Sequence, residues 1–124
     1  MKELHRILKP HGKLLIKVPH FSRGFAHTEH NHGFDITFPL YFKKEFKPGY
    51  FGVDFELEKM EMQWLVFFHL MPYMGYSPTF ISLLKVANKI VSFFANLNMA
   101  FCARIWCFWV GGFDQIEFKF KCIK

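Results

Sequence analysis

The chain has 124 residues, enough for one domain with a core but too few for two ordinary ones. Hydrophobic residues make up 52% and aromatics 20%, with 18 Phe, which excludes a disordered chain and calls for an interior built from rings. Sixteen Lys and Arg against ten Asp and Glu give a formal charge of +6, yet the cations are dispersed and only three are Arg, which argues against a nucleic-acid partner.

Leu4, Ile7 and Leu8 share one helical face, and Pro10 with Gly12 ends that helix near Lys9. Leu14-Leu15-Ile16-Lys17-Val18 follows as a nearly continuous apolar run between Gly12 and Pro19, the pattern of a strand covered on both faces in a parallel sheet. Such a strand calls for parallel neighbours and covering helices, so the sequence reads as lacking an amino-terminal part. From His20 to Gly49 the chain is polar and turn-rich, with a short helix expected from an N-cap at Thr37 through Phe42, helped by Pro39.

Val53 to Leu57 alternates cleanly, and the apolar parity then shifts to Met60, Met62 and Trp64, which predicts a bulged or twisted strand. Pro72, Gly75 and Pro78 break the chain before a helix starting near Ser77, with Leu83, Leu84, Ala87, Ile90, Val91 and Phe94 as its apolar stripe. A second helix is expected over Met99 to Trp109. Lys85, Asn88, Lys89, Asn96, Asn98 and Arg104 interrupt this stretch, which reads as buried or interfacial helix and not as a membrane span. Gly111-Gly112 turns into Ile116 to Cys122, a strictly alternating strand. Cys102, Cys107 and Cys122 are odd in number and lack CxxC spacing, so buried reduced thiols are expected. Met1 to Lys9 has no apolar signal-peptide core, which points to the cytoplasm, with contact at a membrane surface left open.

The opening segment, ELHRILKPHGKLLIKVPHFS, resembles the E-x-x-R-x-L-K-P-G-G-strand segment of class I S-adenosylmethionine-dependent methyltransferases, in particular the type 11 group. HTEHNHGFDITFPLYF resembles that group's histidine-containing loop, and RIWCFWVGGFDQIEFKFKCIK its closing glycine turn and terminal strand. His11 departs from the pattern where the family has the first Gly of its turn, and Cys102 where an acidic residue often stands. The resemblance implies an α/β, Rossmann-like sheet ordered 3-2-1-4-5-7-6 with the seventh strand antiparallel. This chain would supply strands five, six and seven with flanking helices, as one partial domain over residues 1–124. Within it, 1–19 would be helix, turn and strand, 20–50 an acceptor-side loop, 51–64 a strand, 65–110 an apolar helical insertion and 111–124 the terminal strand. The glycine-rich cradle for S-adenosylmethionine would lie outside it, for the sequence holds no G-x-G-x-x-G opening a helix.

Ligands in open α/β sheets sit beyond the carboxyl ends of the strands, which puts Pro19, His20, Phe21 and Ser22 at the rim of an acceptor pocket. His20 is the candidate for acceptor contact or proton removal, since an ordinary imidazole titrates near neutrality; the bland alternative is a loop histidine bonded to the backbone. His27, His30 and Phe34 join the substrate-side set. The cluster His27, Glu29, His30, His32 and Asp35 invites a metal, but its spacing is no recognised ligand pattern, and polar contacts to an acceptor or an ordinary solvated loop are preferred. Phe34, Phe38, Tyr41, Phe42 and Phe46 read as core before pocket, and Lys43, Lys44 and Lys47 as a solvated face.

The expectation is therefore the acceptor-side fragment of a methyltransferase, inactive alone, acting on a small-molecule or lipid-like acceptor. It would associate with its missing half or with itself through exposed apolar surface. The alternative is a small basic α+β interaction or membrane-surface module without catalysis. The edge of the first strand discriminates between them: unpaired and apolar favours the fragment.

Overall fold

The computed structural model describes residues 1–23 and 31–124. Among these, β1 (Lys13–Pro19), β2 (Asp54–Gln63) and β3 (Gln115–Ile123) form one sheet in the order β1-β3-β2, with β3 antiparallel to both neighbours. Helix α1 (Lys2–Ile7) precedes the sheet, and α2 (Pro78–Leu97) and α3 (Met99–Trp109) lie between β2 and β3, giving a small mixed α/β fold.

Alternation along β3 builds the core. Ile116, Phe118, Phe120 and Cys122 point to one side and are all fully buried. Rings from the 3-10 turn Phe38–Phe42 close over them: Phe42 meets Phe120 at 5.2 Å and Phe38 meets Phe118 at 5.4 Å between centroids. The aromatic series is thus core at Phe38 and Phe42, while Tyr41 stacks on Phe51 at 5.1 Å. Pro39 sits in the first turn as expected, but the Thr37 hydroxyl donates to Asp35 and does not cap the turn. All three cysteines are buried and free.

The opposite face of the sheet is a lattice of charges. Glu117 accepts from the amides of Gln63 and Gln115 and pairs with Lys17 at 3.0 Å; Lys13 with Glu58 and Lys121 with Glu56 extend the pattern. This corrects the reading of β1 as a strand covered on both faces between parallel neighbours. Its Lys13, Leu15 and Lys17 are exposed on that charged face, and its one paired neighbour among the described residues is antiparallel. One leucine between two lysines does not make a face worth burying. The alternation of an antiparallel ladder leaves the backbone groups of Lys13, Leu15 and Lys17 on the outer edge, which among the described residues is covered at the strand's end by the bridge between His20 and Phe34.

The turn before β1 is tighter than glycine alone explains. His11 holds φ 61, in the left-handed region, and a Cβ at Gly12 would meet the Lys9 carbonyl at 2.9 Å. β2 bulges between Leu57 and Lys59, where the sequence parity shifts. Gly111 and Gly112 hold φ 75 and 86 in the turn before β3.

α2 starts as expected, with the Ser77 hydroxyl accepting from the Phe80 N–H. The expected apolar stripe is split between two sides. Leu83, Ile90 and Phe94 are exposed, while Leu84, Ala87 and Val91 are half-buried, Val91 against the core, and Asn88, Ser92 and Asn96 also face the sheet. Asn96 accepts from the Met62 N–H at 2.8 Å and donates to its carbonyl at 2.9 Å, Ser92 accepts from Trp64 N–H and Asn88 from Leu65 N–H. The free edge of β2 is thereby sealed by side chains one helical turn apart. α3 carries a π-helical segment, Cys102–Trp106, which turns Cys102, Ala103 and Cys107 inward and leaves Phe101, Ile105 and Phe108 outside.

Candidate functional site

The carboxyl end of β1 gathers the polar residues that the sequence singled out. Pro19, Phe21 and Ser22 are half-buried, as a rim position allows. His20 is not at a rim. It is fully buried against Phe21, with ring centroids 4.5 Å apart, and near Phe113 at 6.1 Å.

That burial changes its chemistry. The His20 imidazole is pushed down to about 4, chiefly by loss of solvation and further by the Arg104 charge, with Asp35 opposing both. It is therefore neutral at physiological pH and does not titrate near neutrality as a rim histidine would. The Ser22 N–H and hydroxyl lie 3.4 and 2.7 Å from Nδ1. Because a backbone N–H only donates, this arrangement assigns Nδ1 as acceptor and leaves the proton on Nε2. Ser22 Oγ in turn accepts from the Phe113 N–H at 2.9 Å, so His20 and Ser22 tie the exit of β1 to the approach to β3.

Phe34 joins the same place through backbone pairing: its N–H donates to Pro19 and its carbonyl accepts from Phe21. A Cβ at the neighbouring Gly33 would lie 2.4 Å from the Phe21 Cα, so no larger residue fits. Asp35 follows, with one carboxylate oxygen bonded to Thr37 and paired with Arg104 of α3. Its other oxygen and His20 Nε2 are the buried side-chain polar atoms without a partner among the described residues. One is an acceptor and the other a donor.

Arg23 and Asp114 form a second polar group beside this one. The guanidinium donates to the Gly111 carbonyl at 2.7 Å and to Asp114 at 3.0 Å, and the second Asp114 oxygen accepts from the Val66 N–H. The sequence reading missed this pair, which lies 91 residues apart along the chain. It also missed Arg104 as a partner of Asp35, separated by 69 residues. Only pairing across the closed fold joins such residues.

His27, Glu29 and His30 lie outside the described residues, and no group of three metal-ligating side chains forms among those described. The cavity bordered by Pro19, Asp114 and Gln115 measures ≈ 100 Å³, well below the roughly 300 Å³ of an ordinary ligand pocket. The described residues do not fit S-adenosylmethionine. A cradle for it needs glycines that open a helix after a strand, but Gly12, Gly33, Gly49 and Gly112 are each filled by this chain's own atoms, and the open Gly75 ahead of α2 follows a 3-10 turn and not a strand. The chain matches no protein-family model, no curated protein and no solved structure.

Proposed function

We propose that this chain is the acceptor-side part of a class I methyltransferase domain, with the cofactor held by strands that pair onto the open edge of β1. The observation that carries this reading is the sheet order: the last strand lies antiparallel between the other two, as strands five, seven and six do in the family that the sequence resembles. The turn before β1 supports it, because His11 takes a left-handed conformation at the position where the family pattern has glycine. Methyl transfer asks a protein chiefly to align the acceptor and exclude water. In this reading His20 and Ser22 are positioning residues that fix the floor of the acceptor site, and the Asp35 oxygen and His20 N–H that lack a partner among the described residues are the groups that would meet the acceptor.

Titration calorimetry with S-adenosylhomocysteine tests the proposal. The chain alone gives no heat of binding, whereas a chimera carrying strands one to four of a type 11 domain ahead of Glu3 binds in the micromolar range. A chimera that melts in one cooperative transition and still ignores the ligand overturns the reading, and so does tight binding by the chain alone. A small α+β module without catalysis would keep the same sheet and would give no binding in either form.

A further inference from the structure

Three polar side chains of α2 face the protein, while Ser82, Lys85 and Lys89 stay exposed. Asn88, Ser92 and Asn96 bond to the β2 edge, while Leu83, Ile90, Phe93, Phe94 and Leu97 face outward, with Phe93 62% and Leu97 66% exposed. Stepped at about 100° per residue, those five occupy one arc of roughly 100°, opposite the bonded residues. A helix on a water-facing surface has the reverse arrangement. α3 continues the same surface: Phe94, Phe101 and Trp109 line one shallow groove of ≈ 330 Å³ that joins the two helices, and Trp109 is 74% exposed. Exposed apolar area on this scale marks an interaction site.

Charge selects the occupant. From Met62 through Phe113 the sequence contains no Asp or Glu, and Lys85, Lys89 and Arg104 are its formal charges. Lys89 is exposed on α2 about 40° from Phe93 at the border of the apolar arc, whereas Lys85 falls on the bonded side, with its ammonium 5.8 Å from the Phe68 ring. A second copy of the chain would offer Lys89 no acid from these helices, whereas an anionic headgroup layer complements both that cation and the apolar arc. Tyr73, 90% exposed in the turn before α2, and Trp109 at the end of α3 are rings of the kind that settle at headgroup level. By length and composition α2 could cross a bilayer, but its bonds to Met62, Trp64 and Leu65 hold it along the sheet.

We propose that the outer face of α2 and α3 docks this protein in the interfacial layer of an anionic lipid bilayer, with α2 lying in the membrane plane. The proposal does not depend on methyl transfer. Sedimentation with vesicles of phosphatidylcholine containing phosphatidylglycerol, against phosphatidylcholine alone, tests it. The chain pellets with the anionic vesicles, and the double substitution Phe93→Ser with Leu97→Ser weakens partitioning about tenfold or more, for two large apolar groups no longer leave water. Lys89→Glu weakens the preference for the anionic lipid. Melting by circular dichroism verifies that both variants fold. A wild-type chain that stays in the supernatant overturns the proposal, as does vesicle binding indifferent to the paired serine substitutions or to Lys89→Glu. So does a dimer, seen by light scattering, that vesicles leave intact and that Phe93→Ser with Leu97→Ser splits, for this would place a second copy on the face.

Discussion

The sheet and the helical pair obey opposite rules. Along β3 every second residue is apolar and fully buried, and the residues between them, Glu117, Lys119 and Lys121, belong to a charged face. Along α2 Asn88, Ser92 and Asn96 turn inward to the β2 edge, on the side that also carries Val91 and Ala95, while Leu83, Ile90, Phe93, Phe94 and Leu97 turn outward. The difference teaches that one chain can be sorted for two surroundings. The sheet sorts its residues between an apolar core and a charged face, whereas α2 meets the edge of β2 on one side and leaves an apolar arc exposed on the other.

The sharpest way to test the comparison is to remove one ring from each region. Phe118 is fully buried between Phe38 and Phe120, so Phe118→Ala leaves a cavity in the middle strand and costs about 3–5 kcal/mol of unfolding free energy. Urea denaturation measures it, with folded wild-type chain as the reference. A cost below about 1 kcal/mol would mean that the aromatic side of β3 is not the core that holds the sheet together.

His20 gives the next largest effect, and it depends on pH. Its imidazole is held neutral down to about 4 in the fold but protonates near 6.5 in the unfolded chain. Between these values the unfolded chain binds the extra proton, so this contribution is favourable above 6.5, declines as pH falls, and is lost by about 4. The whole interval amounts to about 3 kcal/mol. His20→Gln removes that dependence whatever it costs in baseline stability. The comparison is therefore of slopes: wild type loses stability more steeply than His20→Gln between pH 6.5 and 4, and parallel slopes would show that His20 is solvated.

These two residues also show how far the sequence could be read. Phe118 was legible because strict alternation from Ile116 to Cys122 has only one sensible arrangement, an apolar side on a core. The bulge in β2, the Ser77 cap and the glycine turn before β3 were legible for the same reason, since each rests on neighbouring residues. The burial of His20 was not, because its environment is made by Phe21, Phe113 and Ser22, brought together only when β1 and β3 pair. The sidedness of α2 was not legible for a related reason. Its apolar residues form a stripe whichever side faces in, and the choice is made by Asn88, Ser92 and Asn96, which find partners on a strand edge that no local pattern announces.

Asn96 tests that choice directly. It satisfies both backbone groups of Met62 on the free edge of β2, and Asn96→Ala leaves an N–H and a carbonyl without their partner, at a cost of about 1–3 kcal/mol. Amide exchange at Met62 accelerates by the same free energy, because the bond that protects it is gone. Unchanged exchange at Met62 would mean that α2 is not held by its polar stripe, and the inverted packing would lose its explanation.

The smallest expected change is the most telling for the helical pair. Phe93→Ser on the outer face removes a ring as large as that of Phe118, yet Phe93 is 62% exposed and touches little besides Phe94, 5.6 Å away between centroids. Unfolding free energy in water should therefore stay within about 0.5 kcal/mol of wild type. Were Phe93 covered by this chain's own core, the cost would approach that of Phe118→Ala, and the outer face would be a misplaced interior. A near-zero change by urea denaturation, set against the loss at Phe118, shows that the fold has no use for this ring. Its place on the exposed arc of α2 is then accounted for by the proposed docking on a lipid surface and not by the stability of the fold.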